Sequence, residues 1–168
     1  MISENTPFRK VDHQTDLCVV GGGMAGLCAA VAAARHGAQV VLMQDRPVLG
    51  GNASGEIGVS ILGADRNGFI PYARETGILE ELRLENLRRN PQASLQYWDL
   101  VVYNIVRYTP GLTLLLNCSC LDADMDGNRI ASVTGWQLST QTWHTVAARI
   151  FADCSGDGIL APLTGADH

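Results

Sequence analysis

Residues 16–45, DLCVVGGGMAGLCAAVAAARHGAQVVLMQD, contain the order of elements that decides the fold of this chain. The apolar run at 17–20 suits a buried parallel strand. It leads into a G-x-G-x-x-G turn and then into an alanine-rich helix that we expect to end near His36. A second strand is expected at 39–43. This strand-turn-helix-strand order predicts a dinucleotide-binding unit.

Each glycine of the turn has a separate expected role. Gly21 allows the tight turn out of the strand, Gly23 lets backbone N–H groups approach a pyrophosphate, and Gly26 lets the helix pack closely on the strands. The helix N-terminus adds unpaired N–H groups and the positive end of its dipole. Asp45, about 20 residues downstream, is expected to accept a hydrogen bond from a ribose hydroxyl.

Two other interpretations of this apolar stretch are weaker. Residues 17–34 carry no charge and are long enough for a transmembrane helix, but glycine and alanine gain little free energy in hydrocarbon. Arg9 and Lys10 in front of the run are compatible with a signal peptide. Asp12 and Asp16 interrupt that pattern, so we predict no membrane association.

Length and charge limit the function classes. A chain of 168 residues suits one domain with a real core, and we expect a single domain over 1–168. Twelve basic and seventeen acidic residues give a net charge of −5, and no basic run occurs, which argues against a nucleic-acid surface.

The five cysteines are expected to be thiols in a reducing cytosol, because they lie mostly in apolar runs. There is no C-x-x-C pair, and the four histidines are scattered, so no metal site is predicted. We expect the thiols of Cys118 and Cys120 to lie on opposite faces of a strand.

The middle of the chain predicts a loop and two helices. Residues 46–68 are rich in glycine and show no sustained helical or strand periodicity. This favours an ordered functional loop over a flexible surface excursion. Residues 71–90 predict a solvated helix on which Glu80 pairs with Arg83, and Glu85 with arginines 88 and 89. Residues 94–108 predict a second helix whose inward stripe is Leu95, Trp98, Val101, Val102, Ile105 and Tyr108.

From residue 112 onward, short apolar runs alternate with turn residues, which predicts a β-meander followed by one further buried strand. The expected strands are 112–121, 130–138, 143–147 and 149–153. A glycine-rich turn at 154–158 and a short helix at 159–163 follow. Residues 1–14 are expected to be a loosely held lead-in.

Three motifs in order resemble those of FAD-dependent oxidoreductases of the glutathione-reductase-like superfamily: GGGMAG at 21–26, DRPVLGG at 45–51 and DCSGDG at 153–158. The resemblance extends from Asp16 to Ala166. It implies FAD as cofactor and hydride transfer at the flavin. It also implies an α/β fold, a Rossmann-like FAD-binding domain with a central parallel sheet, a three-stranded antiparallel meander and a helical insertion.

The resemblance further implies which residues contact FAD. The glycine turn would hold the pyrophosphate, Asp45 the adenosine ribose, and Arg46 the adenine or the phosphates. The loop at 50–53 would extend toward the flavin, and Cys120 would meet adenine through its backbone. The full set is Gly21, Gly22, Gly23, Ala25, Gly26, Asp45, Arg46, Gly50, Gly51, Asn52, Ala53, Cys120, Gly156 and Asp157.

Some assignments stay open. Asp157 is expected to contact the ribityl or phosphate region, with a helix cap at 159 as the alternative. No catalytic acid or base is predicted. If one exists, the loop at 52–65 is its expected place, with Ser54 and Glu56 nearest the flavin. Two alternative functions are an NAD(P)-binding Rossmann enzyme and a non-catalytic nucleotide-binding module.

Enzymes that this chain resembles are several hundred residues long. We therefore expect an N-terminal fragment with an incomplete flavin site that holds FAD weakly or not at all. Apolar surface at the truncated edge predicts self-association into a homo-oligomer. The expected substrate is a small molecule that the sequence does not name.

Overall fold

The computed structural model describes residues 8–63 and 73–166, and it contains six strands and four α-helices in that part of the chain. A single 3₁₀ turn lies at Gly51–Ala53. In chain order the elements are β1 (Arg9–Val20), α1 (Met24–Arg35), β2 (Val40–Met43), α2 (Gly77–Arg89), α3 (Leu95–Arg107), β3 (Leu112–Leu115), β4 (Cys118–Asp126), β5 (Arg129–Gln137), β6 (Thr142–Asp153) and α4 (Leu160–Thr164).

The strands form one sheet in the order β3-β2-β1-β6-β5-β4. The first four in this order are parallel, whereas β5 and β4 are antiparallel to their neighbours. Val20 pairs with both Met43 and Asp153, and Met43 pairs with Leu115, so four strands end at the same edge. The predicted fold class, a parallel sheet with a meander and inserted helices, is confirmed.

Two apolar clusters lie on opposite faces of the sheet, because successive side chains of a strand point to opposite sides. Val19 and Leu42 belong to the cluster that packs against α1, α2 and α3. Cys18 and Met43 belong to the cluster with the meander and α4. Full burial of each large aliphatic side chain contributes about 1.5–3 kcal/mol to folding. This two-sided core fixes the edge at which the parallel strands end.

β1 begins earlier than its sequence predicts. Residues 9–14 pair in register with residues 142–147 of β6, so the expected loose lead-in is wrong for these six residues. Their polar side chains resemble a coil in sequence, but the backbone hydrogen bonds of a partner strand order them. The remainder of the predicted lead-in, residues 1–7, lies outside the described residues.

The predicted strand boundaries were wrong at two other places. The expected strand at 112–121 is broken into β3 and β4 at Asn117, which has a φ of +52°. The expected separate strands at 143–147 and 149–153 are one continuous strand, β6. Its first half pairs with β5, and it pairs with β1 along its length, so the meander and the parallel sheet share one strand.

The helices predicted from the sequence do form, but their boundaries and ion pairs differ in detail. α2 begins at Gly77, and residues 71–72 of the predicted helix lie outside the described part. The expected pair of Glu80 with Arg83 does not form, because Glu80 pairs with Arg74. The pairs of Glu85 with arginines 88 and 89 do form.

The inward stripe of α3 was predicted correctly only in its middle. Trp98, Val101 and Val102 are buried, and so is Val106, which the sequence interpretation missed. Leu95 and Tyr108 are exposed, because they lie at the two ends of the helix, beyond the sheet surface that the middle covers.

Cys118 and Cys120 both lie in the cluster on the meander side. The expectation that their thiols face opposite ways is wrong, since residues two apart in a strand share a face. Within residues 8–63 and 73–166, no helix has the length and hydropathy needed to cross a bilayer. The uncharged stretch at 17–34 is instead divided between β1, the glycine turn and α1.

Candidate functional site

A cavity of about 580 Å³ opens at the edge where the parallel strands end. β1 has β2 on one side and β6 on the other, and in open α/β sheets such a switch point is where ligands bind. The cavity is called the nucleotide groove here. Its walls come from five stretches around the glycine turn: residue 21 with 23–25, 44–46, 50–53, 59–60 and 154–157.

The three fingerprint glycines are required for different reasons. Gly21 has a φ of +102°, and a Cβ on it would overlap the carbonyl group of Cys154. A Cβ on Gly26 would overlap the carbonyl oxygen of Gly21. A Cβ on Gly23 would meet nothing closer than the Cα of Gly51, at 4.0 Å. The protein itself therefore has room for a side chain at Gly23, and the empty space faces the groove.

The first turn of α1 supplies hydrogen-bond donors to this space. The amide of Leu27 donates to the carbonyl oxygen of Gly23 at 2.9 Å, which is the first bond of the helical ladder. The amides of Met24 and Ala25 precede it and have no helical acceptor, and no side chain caps them. Both residues line the groove. Unpaired amides at the positive end of a helix dipole form a site for an anion such as phosphate.

The second motif lies directly against the first. The amide of Gly50 donates to the carbonyl oxygen of Gly22 at 2.8 Å, and Gly23 and Gly50 form an isolated parallel bridge. The left-handed backbone of Gly50, with a φ of +106°, turns the chain into the 3₁₀ turn at Gly51–Ala53. The predicted residues 50–53 are therefore placed along the groove beside the glycine turn.

Gln44 holds these two motifs in place and was missed from the sequence. Its side chain is buried; Oε1 accepts from the amide of Gly22 at 2.6 Å, and Nε2 donates to the carbonyl oxygen of Val48 at 3.1 Å. Its backbone bonds to Leu115 and Cys118, both at 2.9 Å. The available signal was an amide side chain directly after a fully apolar strand, where a buried polar group needs partners.

Asp45 and Arg46 line the groove as predicted, but Arg46 is also bonded elsewhere. Its guanidinium lies 3.3 Å from the carboxylate of Glu56. Ser54 is buried, and its hydroxyl has no hydrogen-bond partner among the described residues. Neither Ser54 nor Glu56 is among the residues that line the groove. The two loop residues considered as a catalytic acid or base therefore do not line the nucleotide groove.

The turn after β6 is organised by Asp153. Its carboxylate accepts from the amide and the hydroxyl of Ser155 at 3.0 and 2.7 Å, and from the amide of Leu160 at 2.7 Å. Partial burial raises the pKa of Asp153, but these hydrogen bonds together lower it below its ordinary value. The hydroxyl of Ser155 accepts from the amide of Ile159 at 3.1 Å.

These bonds settle the alternative for Asp157. Asp153 and Ser155 cap the start of α4, so the helix-cap role considered for Asp157 is wrong. Gly156 and Asp157 instead line the groove, and both are exposed to solvent. The amide of Cys154 donates to the carbonyl oxygen of Val20 at 2.7 Å, which fixes this turn to the end of β1.

Three predicted residues do not line the groove. Gly22 and Gly26 lie behind its wall, where they pack against the protein. Cys120 is buried on β4, and its predicted backbone contact with adenine stays a prediction. Lining residues that the sequence interpretation missed are Met24, Gln44, Val59, Ser60, Cys154 and Ser155.

The cysteines are poorly suited to thiolate chemistry. Burial raises the pKa of Cys18 and of Cys118 to about 12, and that of Cys120 to about 11. All five cysteines are free. Within the described part of the chain, no group of three or more His, Cys, Asp or Glu side chains could hold a metal ion.

Comparison with known proteins agrees with this geometry. Residues 16–168 match the model of a family described as FAD dependent oxidoreductase. The chain belongs to this family. The family uses FAD, and the groove fits such a ligand, with open space at Gly23 and unpaired amides beside it. The chain is thus the FAD-binding portion of a flavin-dependent oxidoreductase.

This chain matches two curated relatives, each over only a short part of the relative's length. Sarcosine oxidase subunit alpha of Corynebacterium sp. is 44% identical over 68 residues, which are 40% of this chain and 7% of that protein. The probable oxidoreductase OrdL of Haemophilus influenzae is 29% identical over 103 residues, 61% of this chain and 22% of that protein. The chain therefore spans less than a quarter of the length of these relatives.

Two solved structures share the fold. The glycerol-3-phosphate dehydrogenase from Bacillus halodurans, complexed with FAD, has a TM-score of 0.63 and 16% identity over 92% of this chain and 37% of that chain. The flavin-dependent brominase Bmp2 has a TM-score of 0.61 and 15% identity over 90% of this chain and 40% of that chain. At these identities the likeness concerns the fold alone.

Proposed function

We propose that the nucleotide groove holds the FAD, with its pyrophosphate at the glycine turn. The observation that carries this proposal is the combination of open space at Gly23 with the unpaired amides of Met24 and Ala25. The proposed contact residues are those predicted from the sequence that line the groove: Gly21, Gly23, Ala25, Asp45, Arg46, Gly50, Gly51, Asn52, Ala53, Gly156 and Asp157.

We further propose that the complete protein oxidises or reduces a small molecule. The bound flavin would supply the redox chemistry by hydride transfer at its ring. The described residues contribute binding and orientation: amides for the anionic phosphates, and Asp45 as an acceptor for the ribose hydroxyls. Asp157 at the opposite wall offers a second carboxylate for the hydroxyls of the cofactor.

A cofactor titration tests the assignment. The chain is titrated with FAD, with FMN and with NADH, and binding is followed by the change in flavin or nicotinamide fluorescence. FAD binding that is much tighter than FMN binding supports the groove, because the adenosine half supplies the additional contacts. Tight NADH binding without FAD binding would support the NAD(P) alternative and refute the proposal.

Reduction of the bound flavin separates an enzyme component from a simple nucleotide-binding module. Bound FAD that dithionite reduces and oxygen reoxidises, with a shifted absorption spectrum, indicates a flavin held in a defined environment. FAD that binds through its adenosine half alone would compete with ADP and keep the spectrum of free flavin. That outcome would favour the non-catalytic module.

We also propose a cytoplasmic location and self-association. Five free thiols suit a reducing compartment. Leu87 on α2 is 76% exposed and Ile150 on β6 is 63% exposed, and such side chains favour contacts between protein surfaces. Sedimentation at several protein concentrations tests the second proposal, since a monomer throughout the range would contradict it.

A further inference from the structure

A second cavity adjoins the nucleotide groove. It has a volume of about 220 Å³ and lies between the loop at 58–61 and the helices α2 and α3. Ala53, Val59 and Ser60 line both cavities. The indole Nε1 of Trp98, on the wall of the second cavity, donates to the carbonyl oxygen of Ala53 at 2.7 Å. A ligand in the second cavity would therefore lie next to a ligand in the groove.

Arg83 of α2 lines the second cavity and has no ion-pair partner among the described residues. Its Nη1 nitrogen is buried and has no hydrogen-bond acceptor in that part of the chain. The acidic residue one turn away, Glu80, is paired with Arg74. An unpaired guanidinium in a partly buried place is costly, because water has been removed and no protein acceptor replaces it.

The other walls of the cavity add donors and apolar surface. The side-chain oxygen of Asn86 accepts from Asn90 at 2.9 Å, which leaves the Asn86 amide group as a donor. Leu95 and Trp98 form the apolar side. Arg83 is the one charged side chain among the described lining residues. One cation beside apolar walls matches one negative charge carried on a small hydrocarbon group.

We infer that this cavity binds the carboxylate of a small organic acid, with Arg83 as the residue that recognises it. A guanidinium and a carboxylate have matching planar geometry and form charge-assisted hydrogen bonds. A phosphate group carries more negative charge than a single guanidinium balances. The inference rests on the proposed function in one respect, that the carboxylate belongs to a substrate placed next to the FAD.

Tryptophan fluorescence tests the inference. Trp98 lies in the cavity wall, whereas Trp136 and Trp143 contact each other on the meander. The full chain, with and without FAD, is titrated with sodium acetate, sodium butyrate and inorganic phosphate at constant ionic strength and pH. We expect saturable changes with butyrate and acetate, with butyrate the tighter of the two, and a weaker response to phosphate.

Arg83→Gln is the decisive variant, and Arg88→Gln is its matched control. Arg88 lies on the same helix, but it is exposed and paired with Glu85. Arg83→Gln should weaken butyrate binding by about tenfold or more, since a charged hydrogen-bond partner is lost. Arg88→Gln should change it by less than about twofold. Arg83→Lys keeps the positive charge but lacks the planar guanidinium, so its affinity for butyrate should be intermediate. This variant provides the test if Arg83→Gln fails to fold.

The outcomes separate the two proposals. FAD affinity should be the same in the wild type and in both Gln variants, because Arg83 does not line the groove. Saturable butyrate binding that Arg83→Gln leaves unchanged would overturn the inference, and so would the absence of saturable binding or a preference for phosphate. Butyrate binding that depends on Arg83 in a chain that does not bind FAD would support the carboxylate site and refute the proposed function.

Discussion

Gly23→Ala should abolish most FAD binding without unfolding the chain. Apart from its chain neighbours, the nearest protein atom to the added Cβ would be the Cα of Gly51 at 4.0 Å, so the protein accommodates it. The backbone of Gly23, with φ −63° and ψ 177°, is also open to any L-residue. Alanine is a poorer N-cap than glycine, so we expect α1 to lose less than about 1 kcal/mol.

The loss of affinity follows from the donors that the methyl group would cover. The proposed phosphate position lies against the amides of Met24 and Ala25. A methyl group displaces an oxygen from about 2.9 Å to beyond hydrogen-bond reach. Two hydrogen bonds to a charged group are worth about 1.5–3 kcal/mol each, about 3–6 kcal/mol together. At about 1.4 kcal/mol per tenfold, the Kd for FAD should rise by about 10²- to 10⁴-fold.

Flavin fluorescence quenching measures the Kd, and urea denaturation measures the free energy of unfolding. Gly21→Ala is the matched control. Its Cβ would overlap the Cys154 carbonyl at a φ of +102°, so this variant should lose stability as well as FAD. Unchanged FAD affinity in a folded Gly23→Ala chain would refute the assignment of the glycine turn to the pyrophosphate.

Three further predictions concern stability and are all read from urea denaturation. Gln44→Leu should lower the free energy of unfolding by about 1–3 kcal/mol, because it leaves a buried backbone N–H without an acceptor; Gln92→Leu, at an exposed position, should not. Asp153→Asn should be less stable than the wild type at pH 7. Because the folded pKa of Asp153 is lowered, that difference should vanish as the pH falls below about 3.9 through the folded value, and a constant difference would contradict the capping role. Burial, the largest effect, lowers the pKa of His13 and of His144; the Nε2 atom of His13 lies 2.9 Å from the Nδ1 atom of His144. The unfolded chain then binds more protons below about pH 6.5, so stability should fall with decreasing pH there, by at most about 1.4 kcal/mol per pH unit for each histidine; a pH-independent stability between pH 5 and 7 would contradict this.

Apolar periodicity and turn residues predicted the parts of this fold that depend only on neighbours in sequence. The strand, glycine turn, helix and second strand at 16–45 formed as expected, because apolar period and turn residues act within a few residues of one another. The turn at 126–128 was predicted for the same reason. The ordered state of residues 9–14 was not predicted, since it depends on a partner strand more than 130 positions away in sequence.

By itself, the sequence determined the ligand class and the family. Three short motifs, at 21–26, 45–51 and 153–158, resemble those of FAD-dependent oxidoreductases, and the family match over residues 16–168 confirms that resemblance. Only the tertiary structure showed which of those residues line the groove. Gly21 and Gly26 are required by contacts within the protein, whereas Gly23 leaves space that no protein atom fills.

The tertiary structure also decided what lies around the motifs. The buried side chain of Gln44 bonds to Gly22, which lies 22 positions earlier, and Asp153 bonds across its turn to Leu160. The Nη1 atom of Arg83 is buried without an acceptor among the described residues. The physical reason is that burial and hydrogen-bond satisfaction depend on the whole packed chain, whereas turn geometry and apolar period depend on neighbours in sequence.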